Sequence, residues 1–449
     1  MFKTLRNAWK IADLRQKILF TAFIILLYRV GVNVPVPFIN AEALNTWMKN
    51  SEGILQYLNI LSGNAFSQAT LFALGISPYI TASIVIQLLA VAIPALEKLS
   101  KEGEEGQKKL NQITRYVTVG LSLLTSFGYY SMLNANGLIN NTEPAWFSAV
   151  VIIACYCAGS ALVMWLAEKI NDKGIGNGIS LILFANIVSR VPTLVGTLFQ
   201  YIFKPTSVVT KYAEDNRTPL EYLKPATGII IGILSIIIGL AMVAFIVFMT
   251  DSERRIPINY AKKTVGRKMY GGQSSNLPIK LNMTGVMPII FANSIISIPA
   301  TIGVFLGTPK KGSFREGFQN LFSSGSWFYA VLTFVLIIAF AYFYVAISFN
   351  PVEVSNNLKN NGGTVPGIRP GRPTADYIRK VTNRITLVGA IMLGFIAVVP
   401  LIANIVSGNK MSALAFGGSS IIIVVGVVLE TAREIEGQMT MRHYKGFLQ

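Results

Sequence analysis

Ten long apolar segments run through the chain and are separated by polar connections. Most are close to the roughly 20 residues that a helix needs to cross a bilayer. Backbone groups in hydrocarbon must be hydrogen-bonded within their own segment, and the segments are too long for barrel strands, so we predict helices. Only 13% of the residues are charged, against about 25% in soluble proteins. The predicted spans are 18–34, 75–96, 116–133, 147–167, 175–203, 227–249, 281–306, 327–349, 385–405 and 413–430.

The basic residues between these segments fall mainly on alternate connections. When the N-terminus is placed in the cytoplasm, most of the 39 Lys and Arg residues lie on the cytoplasmic side. This asymmetry follows the positive-inside rule and predicts that both termini are cytoplasmic. The net charge of +18 also favours attraction to anionic lipids. Residues 1–17 form an amphipathic segment that we expect to lie on the membrane surface.

Residue types that support catalysis or metal binding are scarce. Cys155 and Cys157 are the only cysteines, and their spacing on one predicted helix points them to different faces, which disfavours a disulfide. His443 is the only histidine, and a structural zinc site needs about four nitrogen or sulfur ligands. The chain also lacks the glycine-rich P-loop that binds nucleotide phosphates. We therefore predict that the protein is not an enzyme and uses neither a metal nor another cofactor.

The central parts of the predicted spans contain no Asp, Glu, Lys or His. Ion-coupled transporters usually carry such residues near the middle of the membrane. Arg29 and Arg190 lie toward the outer ends of their spans, and we expect their side chains to reach the interface. The pattern weakens the hypothesis of a secondary transporter for a small or peptidic solute but keeps it as an alternative. A membrane scaffold without conduction is a third class.

Three interruptions break the apolar pattern. The segment 57–70 is too short and too polar to cross the membrane, so it is either an outer loop or a segment folded back into the protein. Three glycines within 174–178 indicate either a flexible helix start or a close backbone contact. Pro288 and Pro299 fall within the seventh span and predict a kinked helix there.

Two long cytoplasmic connections, 251–280 and 350–384, are rich in basic residues. Apolar residues alternate with polar ones over 256–260, which predicts a strand, and the Gly-Gly pair at 271–272 predicts a turn. One interpretation is a solvated surface held at anionic headgroups. The other is a docking platform for a large, partly anionic cytosolic partner, because basic clusters attract phosphate groups without sequence specificity.

Several motifs, in order along the whole chain, resemble those of the SecY family, the channel subunits of the bacterial preprotein translocase. They are LFALGISPYI at 71–80 with QLL at 87–89, GIGNGIS at 174–180, RRI at 254–256 with NYAK at 259–262, NMTGV at 282–286 and PGIRPG at 366–371. The resemblance implies an all-α polytopic membrane protein with ten transmembrane helices in two pseudo-symmetric halves around an hourglass pore. The halves would be 18–203 and 227–430, joined by an external connection at 204–226 and followed by a cytoplasmic tail at 431–449.

The same resemblance implies roles for individual residues. The apolar pore ring would be Ile76, Ile80, Ile179, Leu183, Ile290 and Ile423. The plug would be the segment 57–70, with Leu61, Ser62, Gly63 and Phe66. The lateral gate would lie between Thr81 and Ile298. The docking surface for a motor or ribosome would include Arg254, Arg255, Lys262, Lys263, Arg267, Lys268, Arg369 and Arg372.

The implied function is a protein-conducting channel in the bacterial cell (inner) membrane. It would pass unfolded secretory polypeptides across the membrane and release transmembrane segments sideways into lipid. The implied partners are the SecE and SecG subunits, the SecA motor ATPase, the ribosome, signal sequences, unfolded preproteins and anionic lipids.

Overall fold

The computed structural model describes residues 2–49, 59, 62–140, 144–192, 196, 225–260, 263–265, 268–270, 274–305, 317–318, 321–323, 325–406 and 417–445, which are mostly helical. A helix occurs in each of the ten predicted spans. These helices are α2 (Ala12–Gly31), α4 (Ser77–Ala92), α6 (Glu104–Ala135), α7 (Ala145–Lys173), α8 (Gly178–Val188), α9 (Pro225–Asp251), α10 (Met287–Phe305), α11 (Trp327–Ser348), α13 (Arg372–Val406) and α14 (Gly417–Lys445). Further helices among the described residues are α1 (Phe2–Trp9), α3 (Ala41–Lys49), α5 (Pro94–Lys101) and α12 (Pro351–Asn360).

By length and apolarity alone, three helical stretches among the described residues are able to cross a membrane: Ala145–Lys173, Trp327–Asn360 and Arg372–Ala403. The pair α4 and α5 would be a fourth, although α5 turns by 102° relative to α4. Pro94 opens α5, and proline suits a first helical turn because its missing N–H has no helical partner to lose there. The number of ten spans therefore stays a prediction.

The ten helices in the predicted spans form two groups of five that pack in the same pattern. In the N-terminal half, α2 contacts α7 and α8, α4 contacts α6 and α7, and α7 contacts both α6 and α8. In the C-terminal half, α9 contacts α13 and α14, α10 contacts α11 and α13, and α13 contacts both α11 and α14. If each helix of the first half is replaced by the helix five places later among these ten, the first set of contacts becomes the second. The fold therefore consists of two pseudo-symmetric halves, as the resemblance implies.

The two halves meet along two lines of helix contact. At the first, named here the front seam, α4 and α6 pack against α10. At the second, the back seam, α8 packs against α14. The largest cluster of buried apolar side chains takes members from both halves, including Ile84, Ile182, Ile289 and Ile422. The interior between the halves is therefore apolar.

A small antiparallel sheet lies in the long connections and adds β-structure to an otherwise helical fold. Strand β1 (Glu253–Tyr260) pairs with β4 (Ser274–Lys280) on one side and with the two-residue β5 (Gly363–Thr364) on the other. The predicted strand is confirmed, because Ile256 and Ile258 are buried while the residues between and before them are not. Two short strands, β2 (Lys263–Val265) and β3 (Lys268–Tyr270), pair with each other. The predicted turn at 271–272 lies outside the described residues.

Candidate functional site

The six predicted ring residues lie on or at the ends of the helices that form the two seams. Two belong to the start of α4 and one to α10, at the front seam, while two belong to α8 and one to α14, at the back seam. They are Ile76, Ile80, Ile290, Ile179, Leu183 and Ile423. Five are buried members of the cluster between the halves, and Ile179 is partly buried against it. The structure thus brings all six into one apolar interior and leaves none of them on the outer surface.

The two predicted gate residues lie on helices that contact each other at the front seam. Thr81 is partly buried on α4, and the side chain of Ile298 is 37% exposed on α10. Pro299 follows Ile298 within α10 and removes a backbone donor from that helix.

The glycines in 174–178 are required by close backbone contact, so the close-contact interpretation is confirmed. A Cβ on Gly178 would lie 2.0 Å from the carbonyl oxygen of Ala167, and one on Gly174 would lie 2.6 Å from Thr21 Oγ1. Gly176 adopts φ +87°, a conformation that favours glycine. The chain can therefore turn from α7 into α8 while touching both α7 and α2.

Asparagine side chains fix the start of α8 within this turn. The side-chain oxygen of Asn177 accepts hydrogen bonds from the backbone N–H groups of Ile179 (3.0 Å) and Ser180 (3.3 Å). Asn171 Oδ1 accepts a third bond, of 2.7 Å, from the N–H of Gly178. These bonds satisfy donors that a helix N-terminus leaves without partners. They set the position of the α8 ring residues relative to α7.

The described part of the predicted plug segment, residue 59 and residues 62–70, is folded back into the protein rather than exposed as an outer loop. Ser62, Gly63 and Phe66 are buried, whereas Leu61 lies outside the described residues. The Phe66 ring is 2% exposed and packs against Tyr129, with the ring centroids 4.5 Å apart. The hydroxyl of Tyr129 donates a 2.7 Å hydrogen bond to the Phe66 carbonyl. Helix α6 therefore holds the middle of this segment.

Polar side chains within the plug segment satisfy the backbone of its turns. Ser62 Oγ accepts from the N–H of Phe66 (3.1 Å), and Asn59 Oδ1 accepts from the N–H of Ser67 (3.1 Å). The chain that follows α2 pairs with the end of the segment, because the N–H of Val36 donates to the Ala69 carbonyl (3.0 Å). Such pairing is needed wherever irregular backbone is buried.

The side chain of Arg29 is partly buried and contacts α8, and its expected position at the membrane interface stays a prediction. Its guanidinium donates a hydrogen bond to the carbonyl of Ala185, in the last turn of α8. That carbonyl also accepts a 3.2 Å hydrogen bond from the backbone N–H of Ser189, and it lies at the helix end that carries partial negative charge, where a cation is stabilised. An arginine inside an apolar span usually faces the protein interior, but no local sequence pattern identifies its partner.

The predicted docking residues that the structure describes lie in the connections between spans. Arg254 and Arg255 are exposed on β1, and Arg255 pairs with Glu253 at 2.7 Å. Lys263 lies on β2 and Lys268 on β3. Arg369 and Arg372 are exposed in the second long connection. Lys262 and Arg267 fall outside the described residues.

The two basic connections, which are far apart in the sequence and were predicted as separate loops, form one joined unit. Strand β5, from the second connection, pairs with β1 of the first at Asn259 and Thr364. Beneath the sheet, Ile256, Ile279 and Val365 form a buried apolar cluster. A two-residue strand carries too little pattern to be recognised in a sequence, so this link was missed. The basic residues of both connections consequently share one scaffold.

The turn that carries Arg369 is held from both sides. Gly367 and Gly371 adopt φ +79° and +97°, which lets the chain turn sharply around the arginine. Thr374 Oγ1 donates to the Arg369 carbonyl (2.8 Å), and Ser355 Oγ donates to the Gly371 carbonyl (2.7 Å). The backbone of this turn is therefore fixed while the Arg369 side chain stays exposed.

Ion pairs connect helices in each half. Arg115 on α6 binds Glu168 on α7 through two contacts of 2.9 and 2.8 Å, and Glu168 is only 9% exposed. Arg433 on α14 binds Asp251 at the end of α9 at 2.5 Å. Burial, together with the nearby charge of Arg433, lowers the pKa of Lys280 from its ordinary value. Each pair joins residues far apart in the sequence, so no local sequence pattern predicts it.

An apolar cavity of about 320 Å³ lies between α2, α8 and α14. Its lining comes from the back seam and the first predicted span, and includes Ile18, Ile25, Phe184, Val427 and Ile435. Because α14 belongs to one half and α2 and α8 to the other, the cavity lies between the two halves.

Comparison with known proteins identifies the family. The SecY family model matches residues 70–432. The protein translocase subunit SecY of Streptomyces galbus is 41% identical over 459 residues, covering 100% of both chains. The same subunit of Mycobacterium tuberculosis is 40% identical over 465 residues, also with full coverage. These relatives are described as translocase subunits, not as enzymes.

Solved structures share the fold. A structure described as a protein-conducting channel aligns with a TM-score of 0.62 at 18% identity and covers 95% of this chain and 92% of the other. Sec61 in the canine ribosome-channel complex aligns with a TM-score of 0.60 at 18% identity and the same coverage. The two halves pack around an apolar interior, and translocase subunits align with the chain over its full length. The chain therefore belongs to the SecY family of protein translocase subunits and is a multi-pass, protein-conducting membrane channel.

Proposed function

We propose that this chain forms the pore through which unfolded secretory polypeptides cross the bacterial cell membrane, and that the pore lies between its two halves. The observation that carries the proposal is that all six ring residues lie at the two seams, five of them buried and Ile179 partly buried. A path between two packed halves can open by separating them, whereas a path through one half would break its packing.

The ring would seal the pore by its chemistry. Side chains and peptide groups of a secretory chain cannot cross hydrocarbon without water or hydrogen-bond partners. A narrow ring of aliphatic side chains excludes water and hydrated ions when the channel is idle. The same side chains can shift when a polypeptide enters, because their contacts are non-directional. Ile76, Ile80, Ile179, Leu183, Ile290 and Ile423 would together form an hourglass constriction.

The plug segment would add a second seal. A related structure is described as one in which the plug domain stabilises the closed state of the translocation channel and maintains a membrane seal. In this chain, the described part of the segment is buried against α6 and the chain after α2. Leaving that position would break the Tyr129–Phe66 hydrogen bond and remove Phe66 from its aromatic neighbours.

The front seam would be the lateral gate. A signal sequence has an apolar core of about 7–15 residues. Transfer of that core from water to lipid is favourable by roughly 25 cal/mol per Å². Opening between Thr81 on α4 and Ile298 on α10 would give the core, and later transmembrane segments, a sideways exit into lipid.

The joined basic connections would be the surface on which the partner that drives transport docks. The energy for transport would come from a motor ATPase, for which the family implies SecA, or from a translating ribosome. Solved relatives include channels bound to ribosomes. The exposed arginines at positions 254, 255, 369 and 372 would attract acidic protein surfaces or RNA phosphates.

The remaining partners follow from the family and from charge. SecE and SecG would complete the membrane complex, and the apolar cavity at the back seam is a surface suited to an apolar partner helix. Both chain termini would be cytoplasmic, because that orientation puts most Lys and Arg residues on the inner side. The same cations would bind anionic lipids. Each helix of one half would then run opposite to its counterpart, since five spans separate them.

The experiment that tests the proposal is translocation by the purified complex in proteoliposomes. With SecA, ATP and a radiolabelled preprotein, we expect the preprotein to become protected from protease inside the vesicles. Saturable uptake of a small solute without a motor would instead support a secondary transporter, which the comparisons do not favour. A scaffold would give neither result. Omission of ATP is the matched control.

A further inference from the structure

We propose that Arg29 and Asn186 form a latch that holds the plug segment in its closed position through Gly63. This inference rests on the proposed function, in which the plug segment seals the pore. Its new content is the identity of the two positioning residues, which lie on different helices, and the reason why the segment needs glycine at position 63.

The contact geometry at Gly63 is unusually tight. Gly63 adopts φ +65°, in the left-handed region that side chains rarely enter. A Cβ built at this position would lie 2.9 Å from Asn186 Oδ1, 3.1 Å from Arg29 Nη1 and 3.2 Å from Asn186 Cα. The plug segment therefore reaches Arg29 and the backbone of α8 only because residue 63 has no side chain.

The two latch residues are themselves held in place. Arg29 is bonded to the Ala185 carbonyl, the residue before Asn186, so its guanidinium stays beside the end of α8. Asn186 is fully buried in the last turn of α8. A charged residue within an apolar span is costly to insert and usually has a function, and here Arg29 contacts both α8 and the plug segment.

Helix α2 and the chain that follows it also hold the residues directly after the plug segment. The Tyr28 ring stacks on Phe72 with centroids 5.5 Å apart and planes 6° apart. The N–H of Leu71 donates a 2.8 Å bond to the carbonyl of Val34. Contacts at Gly63 and at Phe72 thus hold the chain within the segment and just beyond its end. Loosening the contact at Gly63 should free the segment from one side.

A matched pair of glycine variants tests the latch. Gly137 also adopts φ +65°, but a Cβ there would meet nothing within 4 Å among the described residues. Gly137→Ala therefore carries the same backbone strain as Gly63→Ala without the collision. The readout is the labelling rate of Ser67→Cys by a membrane-impermeant thiol reagent, in a background with Cys155→Ser and Cys157→Ser. Ser67 is buried in the closed segment, and cysteine has nearly the same shape.

We expect Gly63→Ala to raise the labelling rate of the reporter about tenfold or more, because strain and overpacking act together at this site. Gly137→Ala should leave the rate unchanged. Equal rates in the two variants would overturn the latch. If Gly63→Ala does not fold, Arg29→Met replaces it, with Arg190→Met as the control, because Arg190 lies just beyond the end of α8 and its substitution removes the same charge. Faster labelling only in Arg29→Met supports the latch, and equal labelling in both contradicts it.

Ion conductance in planar bilayers, measured on the same variants, separates the latch from the proposed function. Faster labelling with a higher resting conductance supports both. Faster labelling with unchanged conductance supports the latch but contradicts the sealing role of the plug segment. Unchanged labelling overturns the latch even if wild-type protein translocates preproteins.

Discussion

Single residues set how closely the backbones of this channel approach each other. Gly159 on α7 lies against the Leu71 carbonyl, and a Cβ there would come within 1.9 Å of that oxygen. Backbone cannot yield as a flexible side chain does, so the helix or the chain after the plug segment would have to move. Position 159 gave no signal in the sequence, because a glycine in an apolar helix is common in membrane proteins.

We predict that Gly159→Ala destabilises the protein by about 1–3 kcal/mol, the usual cost of overpacking. Gly120→Ala is the control, because Gly120 is also inside a long helix and a Cβ there would meet nothing within 4 Å. Its effect should be near zero or stabilising by up to about 1 kcal/mol, from helix propensity. The free energy of unfolding in detergent measures both. A Gly159→Ala variant as stable as Gly120→Ala would contradict the packing described here.

At the scale of single elements, the turn between β5 and α13 presents Arg369 on a fixed backbone. We predict that Arg369→Glu lowers SecA-driven translocation roughly thirtyfold, since reversing a charge in a docked interface costs about 2 kcal/mol or more. Arg379→Glu is the matched control, because Arg379 is also exposed and lies on the adjacent helix α13. Protease-protected preprotein is the readout. An equal loss in both variants would show that net charge, not the Arg369 turn, governs docking.

The contact between α4 and α10 gives a second prediction at this scale. A disulfide between Thr81→Cys and Ile298→Cys, in a background without Cys155 and Cys157, should reduce translocation to near zero because it prevents the front seam from opening. Reduction with dithiothreitol should restore activity, and each single cysteine variant should be active. Full activity of the oxidised double variant would place the lateral exit elsewhere.

At the scale of the whole molecule, much of the architecture could be predicted from the sequence. Apolar length located a helix in every predicted span, and alternation over 256–260 identified β1. The pairing of β5 with β1, the Arg115–Glu168 pair and the Arg29–Ala185 bond could not be predicted, because each joins residues that no local pattern connects. The repeated packing of the two halves was also invisible in the sequence, since packing order depends on three-dimensional neighbours.

The motif glycines show where sequence alone leaves a choice. Within 174–178, the sequence was compatible with either flexibility or close contact. The short distance from a Cβ built on Gly178 to the Ala167 carbonyl oxygen shows that close contact is the reason. The ring residues show the opposite limit. Their burial between the halves is visible, but burial is also the usual state of isoleucine in any core. Their role in conduction therefore needs a functional measurement.

The most direct test of a path between the halves is crosslinking of a preprotein arrested in transit. A preprotein with one cysteine is stalled by a folded C-terminal domain, and disulfide formation is measured with Ile80→Cys or Ile290→Cys, in a background without Cys155 and Cys157. Phe127→Cys and Phe395→Cys are controls, because their side chains are 62% and 63% exposed on the outer faces of α6 and α13. We predict crosslinks at positions 80 and 290 and none at 127 and 395. Equal yields at all four positions, or crosslinks only at the controls, would contradict a pore between the two halves.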